Sequence, residues 1–366
     1  MKILTLLIVF LYGFNSYAQI REIDLFLDKR DKRTLERELP KFLKTYKLPG
    51  VTFVLANKGR IVYAKSYGLN SAEKKDLLEP KHKMAISGCT QVFTAVAIMK
   101  LLQEGKVSLE DSIFGPKSIF EKEIPSVKKF ESMVTVRHLL EQTVGNDWPN
   151  YNRWINFNSK NKLIDIKYYL ERQKLNNEPG KEYYNSEFCY LLLGQIIEKK
   201  SGKEFIEYIR EIFKDTIQTE VNLTTDAKIK DLATHHDYRK FPINLAKLYV
   251  SFNPKEGLVC SPVDFMNVLL SIDGNPAQKD ILIDLAVRIL KAPSPTDTRL
   301  GKGWFISPAG SCYQDWYTGG SCTAFNMRSD GLTWVMFANG TNRRGKFNEV
   351  FRAFGDELIE KLKEIP

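Results

Sequence analysis

Strand-like and helix-like patterns are segregated along this chain, and their order limits the folds open to it. From Gly50 the run V-T-F-V-L-A-N-K-G-R-I-V-Y-A-K-S-Y-G alternates apolar and polar residues about Asn57-Lys58-Gly59, which predicts a β-hairpin. Strand-like runs return near the other end, over Gly303–Ser307, Gln314–Gly319, Cys322–Arg328 and Leu332–Asn339. From about Leu109 to Ser251 the patterns are helical, broken by turns. Asp31–Tyr46 has helical spacing of Leu and Phe, and a final amphipathic helix is predicted over about Asn348–Leu362. Gly88–Glu104 reads as a long amphipathic helix, with Val92, Ala95, Val96, Met99 and Leu102 on three- and four-residue steps. Ser261 reads as the cap of another helix. Strands at both ends with helices between imply that the two termini build one antiparallel sheet flanked by helices. The predicted fold is therefore α/β, of the α+β kind, with a sheet lobe at about 36–108 and 256–366 and a mostly helical lobe at about 109–255.

The first residues, M-K-I-L-T-L-L-I-V-F-L-Y-G-F-N-S-Y-A-Q, carry one positive charge, an apolar core of roughly a dozen residues and a small-residue end at Ser16, Tyr17 and Ala18. That pattern predicts a signal peptide over 1–18, cleaved after Ala18, ahead of a single domain over 19–366. The run is shorter than the ~20 apolar residues a membrane span needs, and no Cys near the cleavage point marks a lipoprotein. The mature chain is expected to be periplasmic or secreted, with no transmembrane span. Its charge balance is +10, yet the lysines are scattered among Glu and Asp, which reads as a solvated surface with no nucleic-acid role.

Five cysteines, Cys89, Cys189, Cys260, Cys312 and Cys322, leave at least one without an intramolecular partner. None has zinc-ligand spacing, so neither a structural metal nor a cofactor is expected. His235-His236-Asp237 reads as an ordinary surface loop, because adjacent histidines point apart.

Four stretches share one frame. They are I-S-G-C-T-Q-V-F-T-A from Ile86 to Ala95, L-L-Q-E-G-K-V-S-L-E-D from Leu101 to Asp111, V-T-V-R-H-L-L-E-Q-T-V-G from Val134 to Gly145, and E-G-L-V-C-S-P-V-D-F from Glu256 to Phe265. Together they resemble the serine β-lactamase and penicillin-binding-protein superfamily, most closely the class C-like branch that also holds D-amino-acid peptidases and esterases. The resemblance covers roughly Leu48 to Ala338 and implies a two-lobed fold with the site in the cleft between lobes. In that family a nucleophilic Ser and a Lys three residues later open the central helix; the same register here puts Gly88 and Gln91 at those positions. Pro179-Gly180 and Tyr190-Leu191-Leu192-Leu193-Gly194 place Asn185-Ser186-Glu187 at the family's Tyr-x-Asn motif. A one-residue slip would bring Tyr184 there instead. Counting back from Phe325 puts Thr318-Gly319-Gly320 at the Lys/His-x-Gly motif.

The reactive side chains that the resemblance calls for are thus replaced. Gly has no group to attack with, Gln has no useful basicity, and Ser87 and Cys89 each point about 100° away around a helix or off its end. Gln91 beside Glu187 would exchange which partner of a cross-cleft bond is charged. The resemblance also implies backbone oxyanion donors at Gly88 and Ser321, which need no particular side chain. The expected ligand cleft is lined by Gly88, Gln91, Asn185, Glu187, Thr318, Gly320 and Ser321, with two motif cations lost. Cys89, Cys189 and Cys322 should converge near it as core residues, as a bridge, or with one as a reactive thiol. Ser186 and Glu187, as sequence neighbours on a helix, should not face each other as nucleophile and base. The reading is an exported, non-catalytic protein of the cell envelope that binds a small-molecule or peptide/cell-wall ligand, or an envelope protein. Two alternatives stay open: a hydrolase of peptides, esters or glycans working through Glu187 or Cys89, and a regulatory subunit of an active relative.

Overall fold

The hairpin forms where the alternation puts it. Gly50–Asn57 (β1) turns through Lys58 and Gly59, both with positive φ (46° and 81°), into Arg60–Ser71 (β2), with Asn57 opposite Arg60. Two positive φ values in a two-residue loop match the right-handed twist of the flanking strands. The structure, a computed structural model, describes residues 27–365 apart from 72, 146–165, 169, 172–174, 176, 218–219, 246–253, 277–278, 319, 343–344 and 364. The predicted signal peptide lies outside the described residues.

The remaining described strands are Asp76–Leu77 (β3), Met84–Ala85 (β4), Asn222–Leu223 (β5), His235–His236 (β6), Pro242–Ile243 (β7), Leu258–Cys260 (β8), Phe305–Ile306 (β9), Cys312–Thr318 (β10), Ser321–Met327 (β11) and Leu332–Ala338 (β12). The described helices are Lys29–Tyr46 (α1), Thr90–Gln103 (α2), Val136–Leu140 (α3), Glu187–Ser201 (α4), Phe205–Phe213 (α5), Pro262–Leu270 (α6), Asp284–Lys291 (α7) and Phe347–Lys361 (α8). Seven strands make the main sheet in the order β3-β2-β1-β12-β11-β10-β9. The chain's two ends meet in it, because β1 pairs antiparallel with β12 from Val51–Ala338 to Asn57–Leu332.

Every residue of β1 is buried, and its faces serve two cores. Val51, Phe53 and Leu55 join the layer made with α1 and α8, whereas Val54 and Ala56 join the layer made with α2 and the helical lobe. On the first side Phe42 of α1 stacks on Phe354 of α8 with ring centroids 4.0 Å apart, and Trp334 of β12 lies against Gly355, where a Cβ would come within 2.5 Å of the indole.

The predicted amphipathic helix at Gly88–Glu104 is corrected in kind. It begins as a 3-10 turn over Ser87–Cys89, and the residues between its apolar steps, including Gln91, Phe93, Thr94 and Ile98, are buried as well. A helix placed between a sheet and further helices has no solvent face. Its polar groups are satisfied from inside: Thr94 Oγ1 donates to Pro254 O at 2.7 Å, and Thr90 Oγ1 accepts from Leu258 N at 3.2 Å. The predicted cap at Ser261 is present, its side chain accepting from Asp264 N ahead of α6.

One ion pair joins the helical layer to the sheet. Lys302, just before β9, sits 3.1 Å from Glu141, just after α3, and each side chain is 1% exposed. Ser294 Oγ also donates to Glu141, and Lys302 Nζ donates to Ala292 O at 3.1 Å. Replacing Lys302 with Met leaves the buried Glu141 carboxylate with only the part-exposed Arg137 guanidinium, 3.8 Å away, and is expected to cost about 3 kcal/mol. Glu123→Gln, which breaks the half-exposed Lys199–Glu123 pair, should cost about 1 kcal/mol or less. Urea unfolding of the two variants checks the difference.

Candidate functional site

The segment that enters α2 is fixed from the sheet side. Ser321 Oγ donates to Ala85 O at 2.9 Å, Thr323 Oγ1 donates to Ile86 O at 3.1 Å, and Cys89 Sγ lies 3.5 Å from Thr323 Oγ1. Ser87 is fully buried with φ 48°, a left-handed conformation that costs a residue with a Cβ. Its hydroxyl has no hydrogen-bond partner among the described residues.

Beside it, Gly88 lies against Trp316 of β10. A Cβ on Gly88 would come within 2.6–2.8 Å of three indole atoms, closer than packing tolerates. The two residues interlock, and the indole covers the place where a side chain at 88 would stand. Ser321, the other expected oxyanion position, lies opposite Thr318 where β10 turns into β11. Gly320 in that turn has φ 117°, and its Cα faces His235 Cβ and Ile243 Cδ1, each 3.0 Å from a would-be Cβ. Gly319 falls outside the described residues.

Gln91 is buried, and its partner differs from the expected one. Gln142 Nε2 donates to Gln91 Oε1 at 3.4 Å while Gln142 Oε1 accepts from Ser186 N at 2.8 Å, so a second amide relays α2 to the start of α4. Glu187, the first residue of α4, is engaged elsewhere: it hydrogen-bonds the carboxyl of Glu256 and lies near Lys255. Lys255 is 1% exposed, donates to Asn185 Oδ1 at 2.7 Å and stands 5.2 Å from the centre of a Trp316 ring. The two motif positions, Gln91 and Thr318, carry no cation, and a different one, Lys255, stands nearby from the turn before β8. Burial lowers the Lys255 pKa, against the pull of Glu187 and Glu256. Burial, and then the charge of Glu187, push the Glu256 carboxyl up to about 7. Sequence reasoning gave neither residue a role, because Lys255 lies just outside a recognised frame and Glu256 stands only at its first position. The signal available was a charged pair, Lys255-Glu256, directly before an apolar strand.

Tyr184, the candidate for a slipped register, turns its hydroxyl to Asn177 Nδ2 at 3.0 Å and to the Glu182 carboxylate. Tyr183 lines the cleft and meets Phe305 edge-on at 6.0 Å. Burial pushes its phenol up to about 12. Ser186 stands at the N-cap position of α4 without a capping side-chain hydrogen bond, and its neighbour Glu187 opens the helix.

His235 and His236 are buried, so the predicted surface loop is corrected to a strand. Their alternation sends them opposite ways. Ala85 N donates to His235 Nε2 at 3.1 Å, which leaves Nδ1 to donate to Ala233 O at 2.9 Å, and burial lowers the ring's pKa to about 4. His236 Nδ1 meets Asn339 O at 3.1 Å. Among the described residues no group of three or more His, Cys, Asp or Glu is placed to hold a metal ion.

All five cysteines are free and buried. Burial pushes Cys89 and Cys189 up to about 12 and Cys312 to about 11, with Cys260 and Cys322 also well above the ordinary thiol value. A buried thiol held in its protonated form is a poor nucleophile. What remains of the cleft is a hollow of about 20 Å³ among Gln91, Gln142, Tyr183, Asn185, Gln314 and Trp316, near the size that admits one water. A far larger groove, 1420 Å³, lies elsewhere, between the end of α2, α5 and α7, and contains none of the expected cleft residues.

A sequence model of the family described as Beta-lactamase matches residues 34–355. Among curated proteins, Protein flp of Staphylococcus aureus (strain MW2) is 29% identical over 175 residues, 47% of this chain and 34% of that protein. Penicillin-binding protein 4* of Bacillus subtilis (strain 168) is 27% identical over 165 residues, 43% of this chain and 34% of that one. The match thus spans about a third of the length of these relatives. Of solved structures, the octameric penicillin-binding protein homologue from Pyrococcus abyssi superposes with a TM-score of 0.74 at 23% identity, over 92% of this chain and 79% of that one. A class C β-lactamase gives 0.75 at 14% identity, over 92% and 97%. These likenesses show the fold. Among the described residues no helix is long and apolar enough to cross a membrane.

Two outcomes follow from the buried groups. Native protein incubated with iodoacetamide at pH 8 should remain unmodified by intact mass, and the same protein in guanidinium should take up five alkyl groups, one for each free thiol. For Glu256 the folded pKa of about 7 stands above the ordinary 4.5. Its stabilising contribution is therefore complete below about pH 4.5 and is lost as pH rises through 7. Urea midpoints across that window should fall less steeply in Glu256→Gln than in the parent chain.

Proposed function

The chain belongs to the beta-lactamase family, and from that premise we propose that it is a catalytically silent member, exported to the cell envelope, which binds a ligand or protein rather than hydrolysing one. The observation that carries the reading is the indole of Trp316 within 2.6–2.8 Å of any Cβ at Gly88. A family enzyme needs a nucleophile at that point and an acyl carbonyl in front of it; this chain fills the space with its own side chain. Gln91, Asn185 and Thr318 supply neither a base at the second position nor a proton shuttle or cation at the others. Export rests on the pattern of the first 18 residues.

A second reading draws on the paired carboxyls. Glu187 and Glu256 share a hydrogen bond beside Lys255, and one carboxyl kept protonated near neutral pH next to another is the arrangement of an acid–base pair. Neither carboxyl is among the residues lining the hollow beside Asn185, so neither is placed to reach a substrate held there, which favours the binding reading. Hydrolysis lost in Glu187→Gln would favour the enzyme instead. The Cys89 alternative has little left to support it, given full burial and a pKa of about 12.

The direct test is intact mass after incubation with a fluorophosphonate and with a β-lactam. No adduct is expected, and a stoichiometric one would overturn the reading. The interlock is tested by a double-mutant cycle. Gly88→Ser should destabilise the parent by about 1–3 kcal/mol through overpacking. In a Trp316→Ala background the same change should cost less than half as much, a coupling expected of side chains that compete for one space.

A further inference from the structure

Helix α1 turns one face to solvent, and that face carries a single sign of charge. Along the sequence its cations alternate with Asp31, Glu36 and Glu38. At about 100° per residue the helix sorts them: Lys29, Arg30, Arg33, Arg37, Lys41 and Lys44 fall within an arc of about 120°, with the three carboxylates outside it. All six cations are exposed, and Pro40 and Thr45 are the only other exposed residues of the helix. Lys47 continues the row, exposed at the C-cap. The carboxylates are engaged on the flanks. Glu36 lies 3.3 Å from Lys65, Glu38 lies 2.8 Å from Arg37 and 3.0 Å from Lys361, and buried Asp31 accepts from Lys363 N at 3.0 Å. Arg37 apart, none of the six is in an ion pair among the described residues.

A charged outward face is the ordinary state of a surface helix. This one differs because its charges oppose the helix that carries them. Lys29, Arg30 and Arg33 stand at the N-terminal end, where the helix dipole is positive and cations are unfavourable. Lys29, Arg33, Arg37 and Lys41 follow at four-residue steps, so three successive like-charge pairs repel along the face. The helix is held to the sheet by Leu35, Leu39, Phe42 and Leu43 on its other side, which need no cation opposite them. An anionic surface laid along the row, about 22 Å from Lys29 to Lys44, would relieve that repulsion.

The row's second half borders a groove of 380 Å³ between α1 and α8, lined by Lys41 and by the part-exposed Tyr46, Val350 and Phe354. Glu38 and Glu357 also line it, and both are paired with Lys361, at 3.0 and 2.7 Å. Cations beside part-exposed aromatic and aliphatic groups suit the headgroup level of a bilayer. A duplex or a phosphate polymer would engage the cations alone.

We propose that α1 is a docking surface for a bilayer containing anionic phospholipid, with the cation row on the lipid phosphates and the α1–α8 groove against the apolar part of the interface. α1 packs on the sheet face opposite α2, so a membrane held here lies away from the start of α2. The inference goes beyond the silent-cleft reading and uses none of its residues.

The experiment is co-sedimentation of the chain from Gln19 onward, the form left by the predicted cleavage, with vesicles of phosphatidylcholine alone or with about one quarter phosphatidylglycerol. The parent should bind the anionic vesicles at about 25 mM salt and leave them at about 0.5 M, without comparable binding to phosphatidylcholine alone. Arg33→Gln, Lys41→Gln and Lys44→Gln together should weaken binding about hundredfold, about fivefold for each cation. That variant loses like-charge repulsion, so its urea midpoint should stand at or above the parent's, which separates lost binding from unfolding. Arg33→Lys, Lys41→Arg and Lys44→Arg together should keep the affinity. Lys122→Gln, Lys214→Gln and Lys228→Gln, exposed in the helical lobe, lower the net charge equally and should weaken binding less than about fivefold. Equal loss in the two neutralised variants, or parent binding that is absent or indifferent to phosphatidylglycerol, overturns the proposal. So does displacement from the vesicles by duplex DNA or inorganic polyphosphate at equal phosphate concentration, which would assign the row to a phosphate polymer. A fluorophosphonate adduct in the mass assay would overturn the silent-cleft reading and leave the vesicle result standing, so the two failures are distinguishable.

Discussion

The antiparallel pairing of β1 with β12 is the constraint on which the rest depends. It joins residues 275–287 positions apart, Val51 with Ala338 and Asn57 with Leu332, and it ties the β12-β11-β10 meander to the β1-β2 hairpin. β11 then lies where Ser321 and Thr323 can hold the backbone at Ala85 and Ile86. β10, one strand further, carries Trp316 onto Gly88. A long-range pairing thus sets, at second hand, what stands at the start of the central helix. Such non-local contacts form late and pay the closure of a large loop, which is why β1 is sealed by apolar residues on both faces.

Much of this was legible in the residues. Alternation about Asn57-Lys58-Gly59 located the hairpin, and the return of strand patterns after Gly303 implied a sheet shared by both ends. Those signals are local, and the structure keeps them. The misreadings arose where tertiary packing decides. Steps of three and four along α2 look amphipathic, but the intervening Phe93 and Ile98 meet a second layer that a single helix pattern does not reveal. His235 and His236 look like a polar loop, yet one accepts a backbone N–H from Ala85 and the other meets the Asn339 carbonyl, partners from distant parts of the chain.

Charge in the cleft follows the same lesson. Reading motif positions one at a time counts a missing cation at 91 and another at 318. Lys255 arrives from the turn before β8 and bonds Asn185 while facing Glu187 and Glu256. The local field is set by which elements converge, and a motif register carries no information about a side chain reaching in from outside it. Trp316 is the apolar counterpart. It lies two residues before Thr318, outside the three-residue motif, and still determines what Gly88 can be.

The Glu141–Lys302 pair has a mechanical meaning beyond its contribution to stability. Swinging the helical layer away from the sheet would pull apart two opposite charges that are each 1% exposed and strand them in an apolar setting. Hinge motion is therefore the expensive way to enlarge the cleft. Rotation of one aromatic ring about its own side-chain bonds leaves the pair intact and breaks no backbone hydrogen bond. The helical layer and the sheet are thus tied by a pair of opposite charges, and parting them would leave each charge buried alone.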